Sequence, residues 1–185
     1  PPWGATARLD RSPLSGSLAS EAGEDAVVLL GEPQGGAGPS VYLRDIWGRE
    51  EGAPPPVDLA AEKRNGDVVR GMSHAGTATS VHDISDGGLL IALAEMAMAG
   101  GIGAQLLAAP ASIVPHAYWF GEDQARYIVT VPAAGAGLVL ATLKGAAAPV
   151  IRTCTTGGGA SANARPTQLP LRALQSALRP PLPAR

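Results

Sequence analysis

Two short stretches hold most of the side chains of this 185-residue chain that could do chemistry. The first, His82-Asp83-Ile84-Ser85-Asp86-Gly87-Gly88, sets two carboxylates three residues apart and ends on paired glycines. It starts in a strand-like run, residues 80–84, and feeds an apolar helical run. The acids therefore fall at the carboxyl end of a strand, where open α/β folds bind ligands. An acid at Asp83 beside Gly87 and Gly88 can hold a divalent metal or a ribose hydroxyl. Asp86, just ahead of the helix, is placed to cap its first turn. His82 reads as a half-buried histidine bonded to its surroundings rather than as a ligand or base.

The second stretch, Phe120-Gly121-Glu122-Asp123-Gln124-Ala125-Arg126, opens another strand. Hard carboxylate oxygens suit Mg²⁺ and a guanidinium suits phosphate, so this strand entrance can bind both; the plain alternative is a solvated turn with a Glu–Arg pair. A third candidate is Gly35-Gly36-Ala37-Gly38-Pro39-Ser40, whose unobstructed N–H groups can cradle an anion or simply turn the chain.

The elements that must position these residues follow from pattern and punctuation. Residues 26–30, Ala-Val-Val-Leu-Leu, are a short apolar run ending at Gly31 and suit a buried strand. Residues 31–56, with six glycines and five prolines, read as a long loop. Asp58 can cap a helix to about residue 75, stopped by Gly76. Residues 89–99 are apolar on nearly every face, which predicts a buried helix closed by Gly100 and Gly101. Beyond lie a strand near 104–107, a loop to 120, a strand over 127–131, a helix over about 134–144 and a last strand near 150–153. The order β-α-β-α-β-β-α-β implies an α/β (α+β) domain, a two-layer sandwich of a mixed sheet with helices on one face. It spans residues 25–155. Residues 1–24 read as a poorly ordered lead-in, and residues 156–185 as an irregular Pro/Ala/Arg-rich tail.

Composition bounds the rest. A hydrophobic share of 45% is enough for a real core, which excludes full disorder. The 24 glycines and 17 prolines are almost twice the usual share and demand many loops. The net charge of −2 conceals a split, for all 16 acids lie in residues 1–123 while residues 124–185 carry seven bases. Those bases are scattered among Pro, Ala and Leu instead of clustered, so neither nucleic acid nor a membrane surface is an expected partner. Cys154 is the only cysteine, which fits a reducing, cytoplasmic setting. The uncharged run from residue 96 to 121 is broken by Gly100, Gly101, Gly103, Pro110 and Pro115, leaving no 20-residue apolar helix. With Pro1 first and no basic-then-apolar leader, the chain reads as a piece of something longer. Arginine outnumbers lysine 12 to 2. That bias suggests GC-rich coding, where a frame-shifted tail would look like residues 157–185.

The strings VHDISDGGLLIALAEMAMAGGIGAQL and FGEDQARYIVTV, with VVLLGE, Gly38-Pro39-Ser40 and PPPVDLAAEKRNGDVVRG upstream, resemble the C-terminal half of the phosphoribosylformylglycinamidine synthase family over about residues 25–153. The D-x-S-D-G-G signature is shared with aminoimidazole ribonucleotide synthetase, thiamine-monophosphate kinase, the hydrogenase-maturation factor HypE and selenophosphate synthetase, all users of ATP. The DLAAEKR helix and the F-G-E-x-Q-x-R strand entrance favour the purine enzyme. The resemblance implies an ATP-dependent C–N ligase converting formylglycinamide ribonucleotide and glutamine-derived ammonia to formylglycinamidine ribonucleotide, with ATP and Mg²⁺ and a glutamine amidotransferase subunit as ammonia source. It implies Asp83 and Gly121 at ATP, Glu122 at Mg²⁺ and Gln124 near the substrate, with the roles of Glu122, Asp123 and Gln124 set to within one position. No catalytic residue is carried over, because the family's catalytic histidine belongs to a first half-domain that this chain lacks. The isolated chain is then expected to be inactive. The alternatives are another ATP-using member of the superfamily and a non-catalytic binding or scaffold fragment.

Overall fold

The computed structural model describes residues 25–100, 104–106, 108–145, 150–155 and 167–169. The lead-in over 1–24 and nearly all of the expected tail lie outside these. The elements run β1 (Asp25–Leu30), α1 (Val41–Trp47), α2 (Leu59–His74), β2 (Ser80–Asp83), α3 (Gly88–Gly100), β3 (Ala104–Leu106), α4 (Pro115–Phe120), β4 (Tyr127–Pro132), α5 (Ala136–Gly145), β5 (Val150–Thr155) and β6 (Thr167–Leu169).

Every residue of β1 is buried, because β1 pairs with β4 on one side and β5 on the other and is covered on both faces. Side chains alternate along a strand. Val27 and Leu29 join Ile128 of β4 in a cluster with Leu89, Leu93 and Met96 of α3 and Tyr118 of α4. Ala26, Val28 and Leu30 join Val129 and Val131 of β4 in a second cluster, with Val69 and Met72 of α2 and Ala136 and Leu143 of α5. The α/β class expected from the sequence is thus observed, but its layering differs: helices cover both faces of the sheet, not one. The apolar helix α3 supplies Leu89, Leu93, Met96 and Ala97, all fully buried, which is why its sequence shows no polar stripe.

The sheet order is β2-β4-β1-β5-β3-β6, and each of its pairings is antiparallel, not mixed as expected. The physical reason lies in the crossovers. Helices carry the chain from β1 to β2 and from β2 to β3, so these three strands share one direction, as strand–helix alternation predicts. However, β4 is inserted between β2 and β1, and β5 between β1 and β3, so no two of the parallel strands touch.

Three elements were not expected. Helix α1 interrupts the presumed loop over 31–56, with Ser40 as its N-cap accepting from the Leu43 N–H and Gly48 closing it at φ 63°. It has no buried residue, and its short apolar stripe of Tyr42, Leu43, Ile46 and Trp47 stays outside both core clusters. Helix α4 begins at Pro115, which needs no N–H there. Strand β6 pairs with β3 from within the stretch that composition assigned to an irregular tail.

Candidate functional site

The two sequence motifs meet. Gly87 and Gly88 both have positive φ, at 79° and 73°, and turn the chain out of β2 into α3. A Cβ on Gly88 would stand 2.7 Å from the Gly121 carbonyl oxygen, so the two glycine-bearing turns touch through backbone. Glu122 then joins them chemically: its Oε1 accepts from the Gly87 N–H at 2.8 Å and from the Val41 N–H, the first residue of α1, also at 2.8 Å. One carboxylate oxygen therefore fixes the starts of two helices, where N–H groups have no partner within the helix. This is the duty the sequence assigned to Asp86. That residue is exposed and no hydrogen bond joins it to the first turn of α3, because the two left-handed glycines turn the chain between it and the helix.

Asp123, next in line, is buried and points the other way. Its Oδ2 accepts from the Gln34 and Gly35 N–H groups at 2.9 and 3.0 Å, and its Oδ1 from the Gly36 N–H at 2.7 Å. The glycine-rich loop does cradle an anion, but that anion is the protein's own carboxylate. The Glu122 N–H closes the arrangement by donating to the Gly36 carbonyl at 3.0 Å.

Behind Asp123 lies Arg126, whose side chain is fully buried and whose Nη1 stands 3.5 Å from Asp123 Oδ2 and donates to the Gly121 carbonyl at 3.2 Å. The acid–arginine pair anticipated in this motif is thus Asp123–Arg126 and buried, not a solvated Glu–Arg pair. Burial lowers the Arg126 guanidinium from its ordinary value, with the Asp123 charge opposing that shift. Arg126 Nε and Nη2 have no partner among the described residues.

Asp83 ends β2 opposite Tyr127 of β4. Its carboxylate is 70% exposed and makes no hydrogen bond to the Glu122 group. His82 Nδ1 lies 2.5 Å from the Asp83 carbonyl oxygen and its ring is 23% exposed, the half-buried position expected of it. Tyr127 Oη donates to Glu62 of α2, and burial, then that contact, push the tyrosine up to about 12. Gln124 is exposed, its Nε2 3.5 Å from the Glu122 carbonyl oxygen. Ala125 takes φ 59°, rare for a residue with a side chain, and its carbonyl is held at 2.9 Å by the buried Asn65 of α2. Sequence reasoning missed Asn65; its signal was its place one turn before Val69 on the buried stripe of α2.

Among the described residues no group of three or more His, Cys, Asp or Glu stands close enough to hold a metal ion. Glu122 has one oxygen already engaged by two N–H groups. These residues do not by themselves make a magnesium site; Glu122 Oε2 can add a single ligand. Nor is any helix among them long and apolar enough to cross a membrane.

Residues 23–162 match the family model described as AIR synthase related protein, C-terminal domain. The phosphoribosylformylglycinamidine synthase subunit PurL of Bradyrhizobium sp. strain BTAi1 is 69% identical over 162 residues, which cover 88% of this chain and 22% of the relative. The subunit of the same name from Rhodopseudomonas palustris strain BisA53 is 58% identical over 184 residues, 100% of this chain and 25% of the relative. The chain thus spans about a quarter of the length of these curated relatives. The second alignment carries the likeness beyond residues 25–153, where the motifs alone supported it, and across the stretch that composition read as a frame-shifted tail. In fold, the chain is similar to Thermotoga maritima PurL complexed with FGAR, at a TM-score of 0.65 and 19% identity over 88% of this chain and 29% of that one. Thermotoga maritima PurL complexed with ATP gives a TM-score of 0.60 at 19% identity, over 85% of this chain and 26% of that one.

Proposed function

The chain belongs to the family of AIR synthase related proteins, C-terminal domain, and from that premise we propose that it is the C-terminal portion of a phosphoribosylformylglycinamidine synthase. The whole enzyme would be an ATP-dependent ligase of purine biosynthesis. ATP phosphorylates the amide oxygen of formylglycinamide ribonucleotide, making it a leaving group, and ammonia from a glutamine amidotransferase subunit replaces it. The folding unit begins at residue 25 and extends past 155 to include β6, and the setting is the cytoplasm.

The observation that carries this reading is the 69% identity to the Bradyrhizobium subunit over 162 residues, far above what fold alone retains. The site geometry agrees with it. Glu122 holds the Gly87–Gly88 turn against Gly121, so the two motifs that would face ATP form one rigid edge. Asp83 stands exposed at that edge, free to meet a ribose hydroxyl or a metal-bound phosphate. Gly121, buried against Ala117 with its carbonyl held by Arg126, would serve the nucleotide by shaping that edge, and Gln124 is exposed on the side where the substrate would lie. Magnesium enters only as the ion that ATP itself carries, to which Glu122 can offer Oε2. The catalytic histidine and the rest of the nucleotide site would come from the first half-domain, so this chain alone holds half of a site and does not turn over.

The test is a splice. The corresponding quarter of the Bradyrhizobium subunit is replaced by residues 1–185 of this chain, and ammonia-dependent ADP release on formylglycinamide ribonucleotide is measured. Ligation by the hybrid and none by this chain alone is the expected result. A folded hybrid that releases no ADP would sink the assignment.

A further inference from the structure

We propose that the apolar face of α1, with the cavity beside it, seats another part of the same subunit, which inserts an aliphatic or aromatic side chain there. This rests on the reading of the chain as a portion of a longer ligase and names the partner of a face that the nucleotide edge does not use. Tyr42, Leu43, Ile46 and Trp47 recur at the spacing that brings side chains to one side of a helix. Not one residue of α1 is buried, and Ile46 and Trp47 are 67% and 61% exposed. A helix of seven residues is marginal alone and draws its stability from packing such a face. Here only the flank is packed: Tyr42 stacks on Phe120 of α4 with ring centroids 4.6 Å apart and on His116 at 6.1 Å.

The cavity lies between α1 and the start of α4, measures about 270 Å³ and is walled by Ala37, Tyr42, Leu43, Trp47, Arg49 and His116. Sites for drug-sized ligands run roughly 300–1,000 Å³, so this one suits a side chain or two. Its chemistry selects an apolar occupant. Arg49 in the wall is paired with Glu51, and Arg44 on α1 with Asp45 at 2.7 Å, so neither guanidinium is left to meet a phosphate or a carboxylate. The surface that remains is aromatic and aliphatic, and Trp is the residue that most often anchors such contacts.

Area and chain length choose between a second copy and the rest of the subunit. Four side chains and a small cavity make a patch of a few hundred Å². Two free chains are held together by about 800 Å² per partner, so a dimer is poorly served by this face. A partner on the same polypeptide needs less, because tethering keeps it at millimolar effective concentration. The relatives possess such a partner. This chain spans 22% of the Bradyrhizobium subunit, which leaves most of that polypeptide outside the matched span and tethered to it.

The experiment compares hydroxyl-radical oxidation of α1, read by mass spectrometry, in the 185-residue chain alone and in the hybrid that carries residues 1–185 within the Bradyrhizobium subunit. Ile46 and Trp47 are expected to oxidise about tenfold more slowly in the hybrid, as a face covered about nine-tenths of the time does. Trp47→Glu, at an exposed position, is expected to leave the melting of the chain alone unchanged. In the hybrid it should return Leu43 and Ile46 to the rate of the chain alone, since loss of an aromatic anchor shifts such an equilibrium by about thirtyfold or more. Trp47→Phe should keep them protected. Equal oxidation in chain and hybrid, or protection in the hybrid that survives Trp47→Glu, would overturn the proposal. So would protection of the chain alone that grows with its concentration, which would make a second copy the occupant. Neither ATP nor substrate enters this assay. Protection without ligation removes only the ligase reading; ligation by a hybrid whose Trp47 stays reactive removes only the docking assignment.

Discussion

The Oε1 atom of Glu122 lies 2.8 Å from the amide nitrogen of Gly87, so the carboxylate of one motif closes the turn of the other. A residue that the family resemblance sets at magnesium is here also a backbone clamp. The two roles are compatible because they use different oxygens.

That division separates two acids which look alike in sequence. Asp83→Asn alters an exposed carboxylate with no backbone partner and should change stability by less than about 0.5 kcal/mol. Glu122→Gln weakens two charge-assisted hydrogen bonds and should cost about 1–2 kcal/mol, and Glu122→Ala, which strands both N–H groups, more. Urea unfolding of the three variants checks the order. Equal stabilities for Asp83→Asn and Glu122→Ala would show that the clamp contributes nothing.

Asp123 and Arg126 should behave as a buried pair. Removing one partner leaves the other charged and desolvated, so Asp123→Ala is expected to destabilise the fold by about 3–5 kcal/mol. The same variant frees the Gln34, Gly35 and Gly36 N–H groups, and their hydrogen exchange should quicken more than that of β1. Unchanged exchange at these three amides would mean the loop is held by something else.

Tyr127 provides a pH signature. Burial and its bond to Glu62 favour the neutral phenol in the folded state, raising it to about 12 from the ordinary 10.0. The folded chain therefore holds this proton more tightly than the unfolded chain. Its contribution to stability is full below about pH 10 and is lost as pH rises through about 12. Denaturation midpoints compared with Tyr127→Phe across that window should converge toward high pH. A constant gap between the two would contradict the assignment.

Much of this arrangement was legible in the chain, and the parts that were not have physical causes. The all-apolar run at 26–30 announced a buried strand; it also required cover on both faces, since a strand open on one side alternates with polar residues. Strand–helix alternation implied an α/β domain with a mixed sheet, whereas each observed pairing is antiparallel. It said nothing of β4 and β5 slipping between β1, β2 and β3, because strand insertion depends on contacts far apart in sequence. The two site motifs were found by residue type. Their meeting through Gly88 and Glu122 was not, and neither was the capture of the 34–36 loop by Asp123, since bonds from side chain to distant backbone leave no periodic trace. Helix α1 had its Ser40 and Gly48 boundary signals and a short apolar stripe, Tyr42, Leu43, Ile46 and Trp47, but seven residues amid a glycine- and proline-rich stretch were too few to set it apart from a loop.

The contact between the motifs yields the last expectation. Gly88 has φ 73° and would carry its Cβ within 2.7 Å of both the Gly121 oxygen and the Phe120 carbonyl carbon. Gly76 has a similar φ, 66°, at the end of α2, with nothing within 4 Å. Gly76→Ala thus isolates the conformational cost of a left-handed residue, about 1 kcal/mol. Gly88→Ala adds a backbone clash that no rotamer relieves, about 1–3 kcal/mol more, and it must push the α3 turn away from Gly121. The measurement is a pair of urea melts, joined by fluorescence of Trp119 in α4, which packs against the cluster that α3 fills. Gly88→Ala should lose the greater stability and alone shift the tryptophan emission. Equal losses would mean that the close approach of the two motifs imposes no constraint of its own.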